Sequence, residues 1–531
     1  MINHFEYRRS LRLLRRAFDL LAIVLFFSQF FIDSSIENMV SSLMASSIFI
    51  IATSLILHPR NCDMGAAFSG SIVFLVITSA SIAPMLGTLL EGHSLTYTLL
   101  SPVETFFHRF VFAVILLIAH FLVSMKMSRP ILKSMAKLGV VLKTNISLPG
   151  KCLWAFGVLG LLSLLMRKLP LPIEIFNFLQ GFRYLLWAPF LLLLPPFYKE
   201  TKQADKWFLL LYYIIQVGIA LAHNTRMAMI GPLALVGTGW LALLLLGYIR
   251  VNQKKLIKGL LIGICGLFAL VILSDFSTAM LIERDKRKDR SIGDQFSATL
   301  TTFQDKKALD DYRKSSVQMT DGVSADDVWL ENYILNQFLA RFVPIKFDDN
   351  CFNRVNSLNE SELKSLREIS DQKVQAMLPD PVLDALDIQV DKAFVTSFSI
   401  GDIINYLSKD GLLGGFVTGS MPAHAFAMYG WYYPFVMIVI IWFIFTIMRG
   451  LMSQYFEGVL FSNFSVFGLL IIFETFTNLL VEGTPGLFGM LIRGIWQNAI
   501  IFYISLQAIR FFLGIKITKY IGGRRLIKSY A

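Results

Sequence analysis

The stretch Gly430–Met448, GWYYPFVMIVIIWFIFTIM, carries no charged residue and, beyond Pro434, no helix breaker. A run of this length can cross a hydrocarbon core of roughly 30 Å as a helix, because lipid offers backbone N–H and C=O groups no partners except one another. Comparable runs recur along the chain. By the same length rule about twelve spans are expected, centred on residues 17–33, 39–57, 66–85, 105–125, 152–166, 181–197, 206–222, 227–248, 257–275, 430–448, 460–481 and 487–509. Composition agrees: of 531 residues 55% are hydrophobic and only 16% charged, 46 are Phe, and the mean hydropathy is +0.60. The expected fold class is all-α, a polytopic membrane protein.

Charge sets the orientation. Cytoplasmic flanks of membrane helices collect Lys and Arg. Alternate ends and loops here hold Arg8, Arg9, Arg12, Arg15 and Arg16, then Lys126 to Lys143, Lys199 to Lys206, Arg250 to Lys258, and Lys516 to Lys528. The intervening loops Asp33–Asn38, Pro84–Glu104 and Glu482–Leu487 contain no Lys or Arg, so both termini are expected in the cytoplasm. Arg167 and Lys168, outside the fifth span, fit this pattern least well. The net charge of +12 thus reads as topology, with no nucleic-acid partner implied. The arginine-rich start followed by an apolar run reads as a retained first helix, since no small-residue cleavage site follows. Residues 126–151, basic and broken by Pro130 and Pro149, fit an amphipathic segment on the cytoplasmic leaflet. Four cysteines at Cys62, Cys152, Cys265 and Cys351 have neither disulfide-framework nor metal-ligand spacing.

Three parts follow: residues 1–275 with about nine spans, residues 276–410 as a polar extracytoplasmic cap, and residues 411–531 with the last three spans and a basic cytoplasmic tail. Within the cap, Trp329, Tyr333, Leu335, Phe338, Leu339 and Phe342 have the spacing of an amphipathic helix, and residues 359–376 read as a more exposed one. The cluster Arg284 to Arg290 reads either as a solvated helix end or as a contact for anionic headgroups. Asp348 and Asp349 read as solvated loop carboxylates rather than a metal-binding pair. Phe398–Pro434, with six glycines and Pro422, favours a short re-entrant or interfacial segment over a spanning helix.

Arg109, Arg183, Arg226 and Arg493 fall near the outer ends of expected spans, where an unpaired charge costs a few kcal/mol. Either each pairs with Glu104, Glu474, Glu482 or Asp402, or the group lines a cationic pocket for phosphate, which guanidinium grips through two parallel hydrogen bonds. Glu474, inside the eleventh span, needs a partner there, and Arg493 is the expected one; Asn478 and Gln497 would extend a polar lining. His424 is either an interfacial hydrogen-bonded histidine or a general base. No Walker A loop, HExxH, GxSxG or EF-hand is present, and no cytoplasmic segment is large enough to bind a nucleotide sugar or hydrolyse ATP.

With that layout the chain resembles the O-antigen and exopolysaccharide repeat-unit polymerases, multispanning membrane glycosyltransferases with a large periplasmic loop late in sequence. The likeness rests on HNTRMAMIGPLALVG, where Arg226 and Gly237 match the family's arginine-to-glycine spacing, on LARF around Arg341, and on AMYGWYYPF, similar to the family's "nfG" segment. His424 stands where many relatives carry an acidic residue. The resemblance implies transfer of a glycan from undecaprenyl pyrophosphate to another lipid-linked repeat at the outer face of the bacterial inner membrane, without metal, nucleotide or other cofactor. Arg226 and Arg341, with Arg183 and Arg493, would contact pyrophosphate or glycan, and His424 or Glu474 would accept the proton of the attacking hydroxyl. Trp329 or Tyr429 would stack on sugar. Partners would be the lipid-linked oligosaccharide, membrane lipids, a chain-length regulator and a flippase. An O-antigen ligase, or a transporter or flippase of lipid-linked sugar, remain open alternatives.

Overall fold

The computed structural model describes residues 4–58, 66–146, 148–166, 178–195, 197, 201–222, 226–283, 291–318, 329, 333–336, 339–409, 413–414, 417–456, 459–462, 465–481 and 483–514. The helices are α1 (His4–Ile32), α2 (Ile36–Ile56), α3 (Ala67–Ala80), α4 (Ile82–Leu90), α5 (Pro102–Leu122), α6 (Arg129–Leu142) and α7 (Gly150–Leu165), followed by a 3-10 helix, Arg183–Leu193. Then come α8 (Gln203–Ala222), α9 (Arg226–Leu245), α10 (Gln253–Ile282), α11 (Ile292–Gln304) and α12 (Lys306–Gln318). The polar insert contributes α13 (Ile345–Ser357), α14 (Glu360–Gln375), α15 (Asp380–Ala385), α16 (Lys392–Ser397) and α17 (Ile400–Lys409). After it run α18 (Met421–Tyr429), α19 (Tyr433–Met452), α20 (Val466–Val481), α21 (Thr484–Gly489), a π turn over Met490–Gly494, and α22 (Ile495–Leu513).

Among the described residues six helical stretches are long and apolar enough to cross a membrane, and five apolar helices are shorter. The chain is thus a helical, multi-pass membrane protein by length and composition. One departure from the all-α expectation is an antiparallel hairpin, β1 (Ser453–Phe456) and β2 (Val459–Ser462), with Ser453 opposite Ser462 and Phe456 opposite Val459. It occupies the start of the span expected at 460–481, so α20 begins only at Val466. The expected span at 181–197 is wound as a 3-10 helix with Pro189 inside it. In the insert, residues 333–336 are irregular and Leu339–Phe342 is a single 3-10 turn, so the amphipathic helix expected from Trp329 to Phe342 is absent among the described residues there. The tertiary bonds of this strip explain the difference: Tyr333 donates to the carbonyl of Leu95, and the amides of Leu335 and Asn336 donate to Glu91 at 2.9 and 3.1 Å. Burial lifts the Glu91 carboxyl above its ordinary pKa, while those two amides pull it back.

Residues 359–376 form α14 as expected, opened by a capping box in which Asn359 and Glu362 satisfy each other's backbone amides. Residues Phe398–Pro434 resolve into α17, α18 and the turn at Gly430, whose φ of +54° suits glycine. The Arg284–Arg290 cluster, Arg167, Lys168, Phe338, Glu482 and the basic tail lie outside the described residues.

Two contacts show how the membrane part closes. Gln29 of α1, fully buried, donates to Met85 O and Thr88 Oγ1 and accepts from the Leu95 amide at 2.8 Å, so a polar side chain at depth has its bonds made. Gly160 of α7 lies directly against the backbone of Leu185 and Leu186, where any Cβ would overlap it. Gly160→Ala is expected to cost about 1–3 kcal/mol and lower the melting temperature of the purified protein. Gly218→Ala in α8, which meets nothing within 4 Å, should raise stability by about 0.5–1 kcal/mol.

Candidate functional site

The insert is joined to the membrane helices by two adjacent carboxylates of α13, Asp348 and Asp349, both fully buried. Asp348 takes Arg109 of α5 in a two-pronged ion pair and a 2.6 Å hydrogen bond from Ser420, the residue that caps α18. Arg109 also donates to the carbonyl of Leu480 near the end of α20. Asp349 accepts the amides of Leu100 and Ser101 at 2.8–3.0 Å and the ammonium of Lys346 at 2.9 Å. It thus caps the start of α5, where Ser101 supplies no side-chain cap, and its charge complements the positive helix end. The pair is therefore not solvated, contrary to the reading of adjacent loop carboxylates. Partners distant in sequence, Arg109, Lys346 and two free amides, are what make burial affordable. Glu104 and Asp402 are also engaged away from arginine: Glu104 accepts from Asn356, and Asp402 from Ser399 and Val417 amides.

His424 of α18 is fully buried between the insert and α21. Its Nδ1 accepts the Thr484 amide at 3.2 Å, so Nε2 carries the proton and donates to Ser370 Oγ at 2.9 Å; Ser370 in turn donates to the Leu366 carbonyl. Both ring nitrogens are spent and no face meets solvent. This arrangement is the hydrogen-bonded alternative for His424: the ring is a latch joining α14, α18 and α21.

The remaining expected residues converge elsewhere. Gly231 of α9 packs on the Trp187 ring and Gly239 on Leu194, so α9 and the 3-10 helix run parallel and in step. Counting back from Trp187 at about 2.0 Å per 3-10 residue and from Gly231 at about 1.5 Å per α residue puts Arg183 and Arg226 some 8 Å along, at one level. Helix α20 runs the other way: Leu469 sits near Gly239 and Phe473 packs edge-on against Trp187, which brings Glu474 toward that level. Glu474 is half-buried, accepts from Asn498 Nδ2 at 2.7 Å, and feels the charge of Arg183. Tyr184 donates to the Asn498 carbonyl at 2.8 Å, holding α22 in place. Arg493, exposed, bonds Gln497 at 2.8 Å, and Gln497 faces Gly181. The partner expected for Glu474 was Arg493; Arg183 and Asn498 take that place because the π turn ahead of α22 turns Arg493 onto its own helix. The side chains of Arg226 and Arg341 lie outside the described residues, with their backbones at the start of α9 and in the 3-10 turn Leu339–Phe342.

All of this lies at the insert's end of the bundle. Leu480, six residues past Glu474, touches Arg109, and Gly489, just before Arg493, packs on Met377 of the insert. Scans against family models, curated proteins and solved structures find no match. The site is therefore argued from its own chemistry: a half-buried carboxylate with a guanidinium beside it, a second exposed guanidinium nearby, and an insert over them. Among the described residues no group of three or more His, Cys, Asp or Glu is arranged for a metal ion. Trp329 packs partly buried on the insert's own core, while Trp431 and Tyr432 at the foot of α19 are 63% and 77% exposed.

Removing Asp348 alone leaves Arg109 buried and unpaired, so Asp348→Ala should lower stability by about 3–5 kcal/mol. The double change Arg109→Met with Asp348→Leu should recover much of the loss, as read from the melting temperatures of all four proteins in one detergent.

Proposed function

We propose that this protein is a membrane glycosyltransferase that joins lipid-linked oligosaccharide repeat units, carried on undecaprenyl pyrophosphate, at the outer face of a bacterial inner membrane. Its topology in this reading is about twelve spans with both termini cytoplasmic and the insert outside as a cap. The observation that carries the reading is Glu474 with the charge of Arg183 close by and Asn498 on one oxygen, while Arg493 is held by Gln497 on the helix that bears Asn498. That arrangement suits a substrate whose phosphates stay at the membrane surface while its glycan rises into the space beneath the cap.

The chemistry follows from charge. Breaking the bond between the anomeric carbon and the pyrophosphate oxygen develops negative charge on the leaving group, and fixed guanidinium groups stabilise that charge without a nucleotide. Arg183 and Arg226 would hold the pyrophosphate, with Arg493 and Arg341 along the glycan. Glu474, ionised, accepts the proton of the attacking hydroxyl as its oxygen bonds the anomeric carbon, and undecaprenyl pyrophosphate leaves. Asn498 orients that carboxylate through one oxygen and leaves the other open. The same geometry serves a ligase that moves a finished glycan, and only the acceptor separates the two. A transporter of lipid-linked sugar would carry its charges near the bilayer midplane; Arg493 lies four residues from the Gly489–Met377 contact with the insert, whereas Glu474 stands mid-way along α20.

Purified protein supplied with lipid-linked repeats is expected to extend them. Glu474→Gln should slow extension about 10²–10⁴-fold, and Arg183→Gln about 10²–10³-fold, each with the fold kept. Movement of substrate across the bilayer without extension would defeat the enzyme reading. His424→Gln should lower the melting temperature yet leave the pH–rate profile in place; loss of an ionisation from that profile would return the histidine to catalysis.

A further inference from the structure

At the opposite end of the bundle from the insert, the first turns of α1 and α10 border an open cleft of ≈ 850 Å³. That volume falls in the roughly 300–1,000 Å³ range of ligand pockets. Arg9, Arg12, Arg16, Arg250, Lys254 and Lys255 line it, with Glu6 the sole carboxylate among the lining residues. Glu6 is taken by Arg250. The walls are built rather than incidental: Tyr7 donates to the Leu245 carbonyl at 2.7 Å, and Ser10 exchanges two 3.0 Å bonds with the Val251 backbone. The start of α10, a helix of 30 residues, adds its positive end to the same space.

Distance separates this cleft from the proposed reaction site. From Arg12 to Gln29, which sits beside Leu95 and so beside the insert, α1 rises about 25 Å. Both helices also leave the cleft as exposed apolar ridges. On α1 these are Leu20, Val24, Phe27 and Phe31, and on α10 Ile257, Leu260 and Leu261. A cationic pocket that runs on into two apolar ridges matches an amphiphile with a phosphate head and hydrocarbon tails, and a soluble anion would leave the ridges unused.

We infer that this cleft binds the phosphate headgroup of an anionic phospholipid, with the acyl chains lying along α1 and α10. The five lining cations other than Arg250, under a helix end, suit phosphate oxygens, and basic pockets between membrane helices bind such headgroups by the same attraction. Full-length protein in neutral detergent would be titrated with phosphatidylglycerol, with phosphatidylcholine as the uncharged reference, and bound lipid counted by native mass spectrometry. The expected result is retention of phosphatidylglycerol over phosphatidylcholine, weakened on the order of tenfold or more in the triple variant Arg9→Gln, Arg16→Gln, Lys254→Gln. The matched variant Lys133→Gln, Lys137→Gln, Lys143→Gln, on and after α6, should bind like the wild type. Equal loss in both triple variants would mean diffuse attraction and overturn the pocket, as would unchanged binding in the first. Competition by inorganic pyrophosphate at the lipid's own concentration would overturn the lipid assignment in favour of a soluble anion. A melting curve of each variant separates a lost site from a lost fold.

Discussion

The Arg109–Asp348 ion pair, closed from water and shared with Ser420 and the Leu480 carbonyl, is the interaction on which the rest of the molecule depends. Four elements far apart in sequence meet there: α5, the insert, the start of α18 and the end of α20. Two charges taken out of water are expensive unless their geometry is good and their remaining hydrogen-bonding groups find partners. Asp349 directs its charge to the amides that open α5 and to Lys346, so the neighbouring carboxylates face different cations, which offset the repulsion between them. A hydrophobic contact at this position would hold the insert as strongly but not in one register, because apolar packing has no preferred direction. The ion pair makes the insert's placement over the arginine-bearing helix ends a single arrangement.

Much of the membrane part was legible because its cause is local. A run such as Gly430–Met448 is helical wherever it lies in lipid, and α14 announces itself through the Asn359–Glu362 box. What escaped was set by partners distant in sequence. Asp348 and Asp349 look solvated until Arg109 and the amides of Leu100 and Ser101, some 240 residues earlier, are brought to them. The strip from Tyr333 to Phe342 has helical spacing, yet its amides are drawn off by Glu91. The second strand of the hairpin, Val459–Ser462, is apolar enough to pass for the start of a span, and the first bonds to the loop after α6, as when Asn145 donates to the Ser453 carbonyl. For the site, residue type and depth identified Glu474 and the arginines, but pairing did not follow from depth: Arg183 rather than Arg493 lies beside Glu474, a choice made by the π turn.

Glycine sets the spacing of the arginine-bearing segments. Gly231 and Gly239 let α9 lie directly on Trp187 and Leu194, and Gly160 lets α7 touch the backbone of the same 3-10 helix from the other side. A 3-10 helix rises faster per residue than an α-helix, so its ridges fall out of step with a neighbour's over a few turns. Two glycines eight residues apart, about 12 Å of α-helix, meet two side chains seven apart, about 14 Å of 3-10 helix, so the two rises stay within about 2 Å of each other over that distance. The consequence is that Arg183 and the first residue of α9 begin together rather than a turn apart.

That coincidence bears on why a carboxylate is tolerated where Glu474 stands. A half-buried Glu among apolar helices would be neutral or excluded if it stood alone, since the charged form loses hydration. Arg183 opposes that loss with its own charge, and Asn498 with a hydrogen bond to one oxygen only. A pair built purely for stability would be expected to saturate both oxygens, as Asp348 and Asp349 do where the insert meets the membrane helices. Glu474 keeps an oxygen without a protein donor among the described residues, with the charge of Arg183 close by. Two saturated carboxylates hold the insert, and Glu474 differs from them in keeping one oxygen without such a bond.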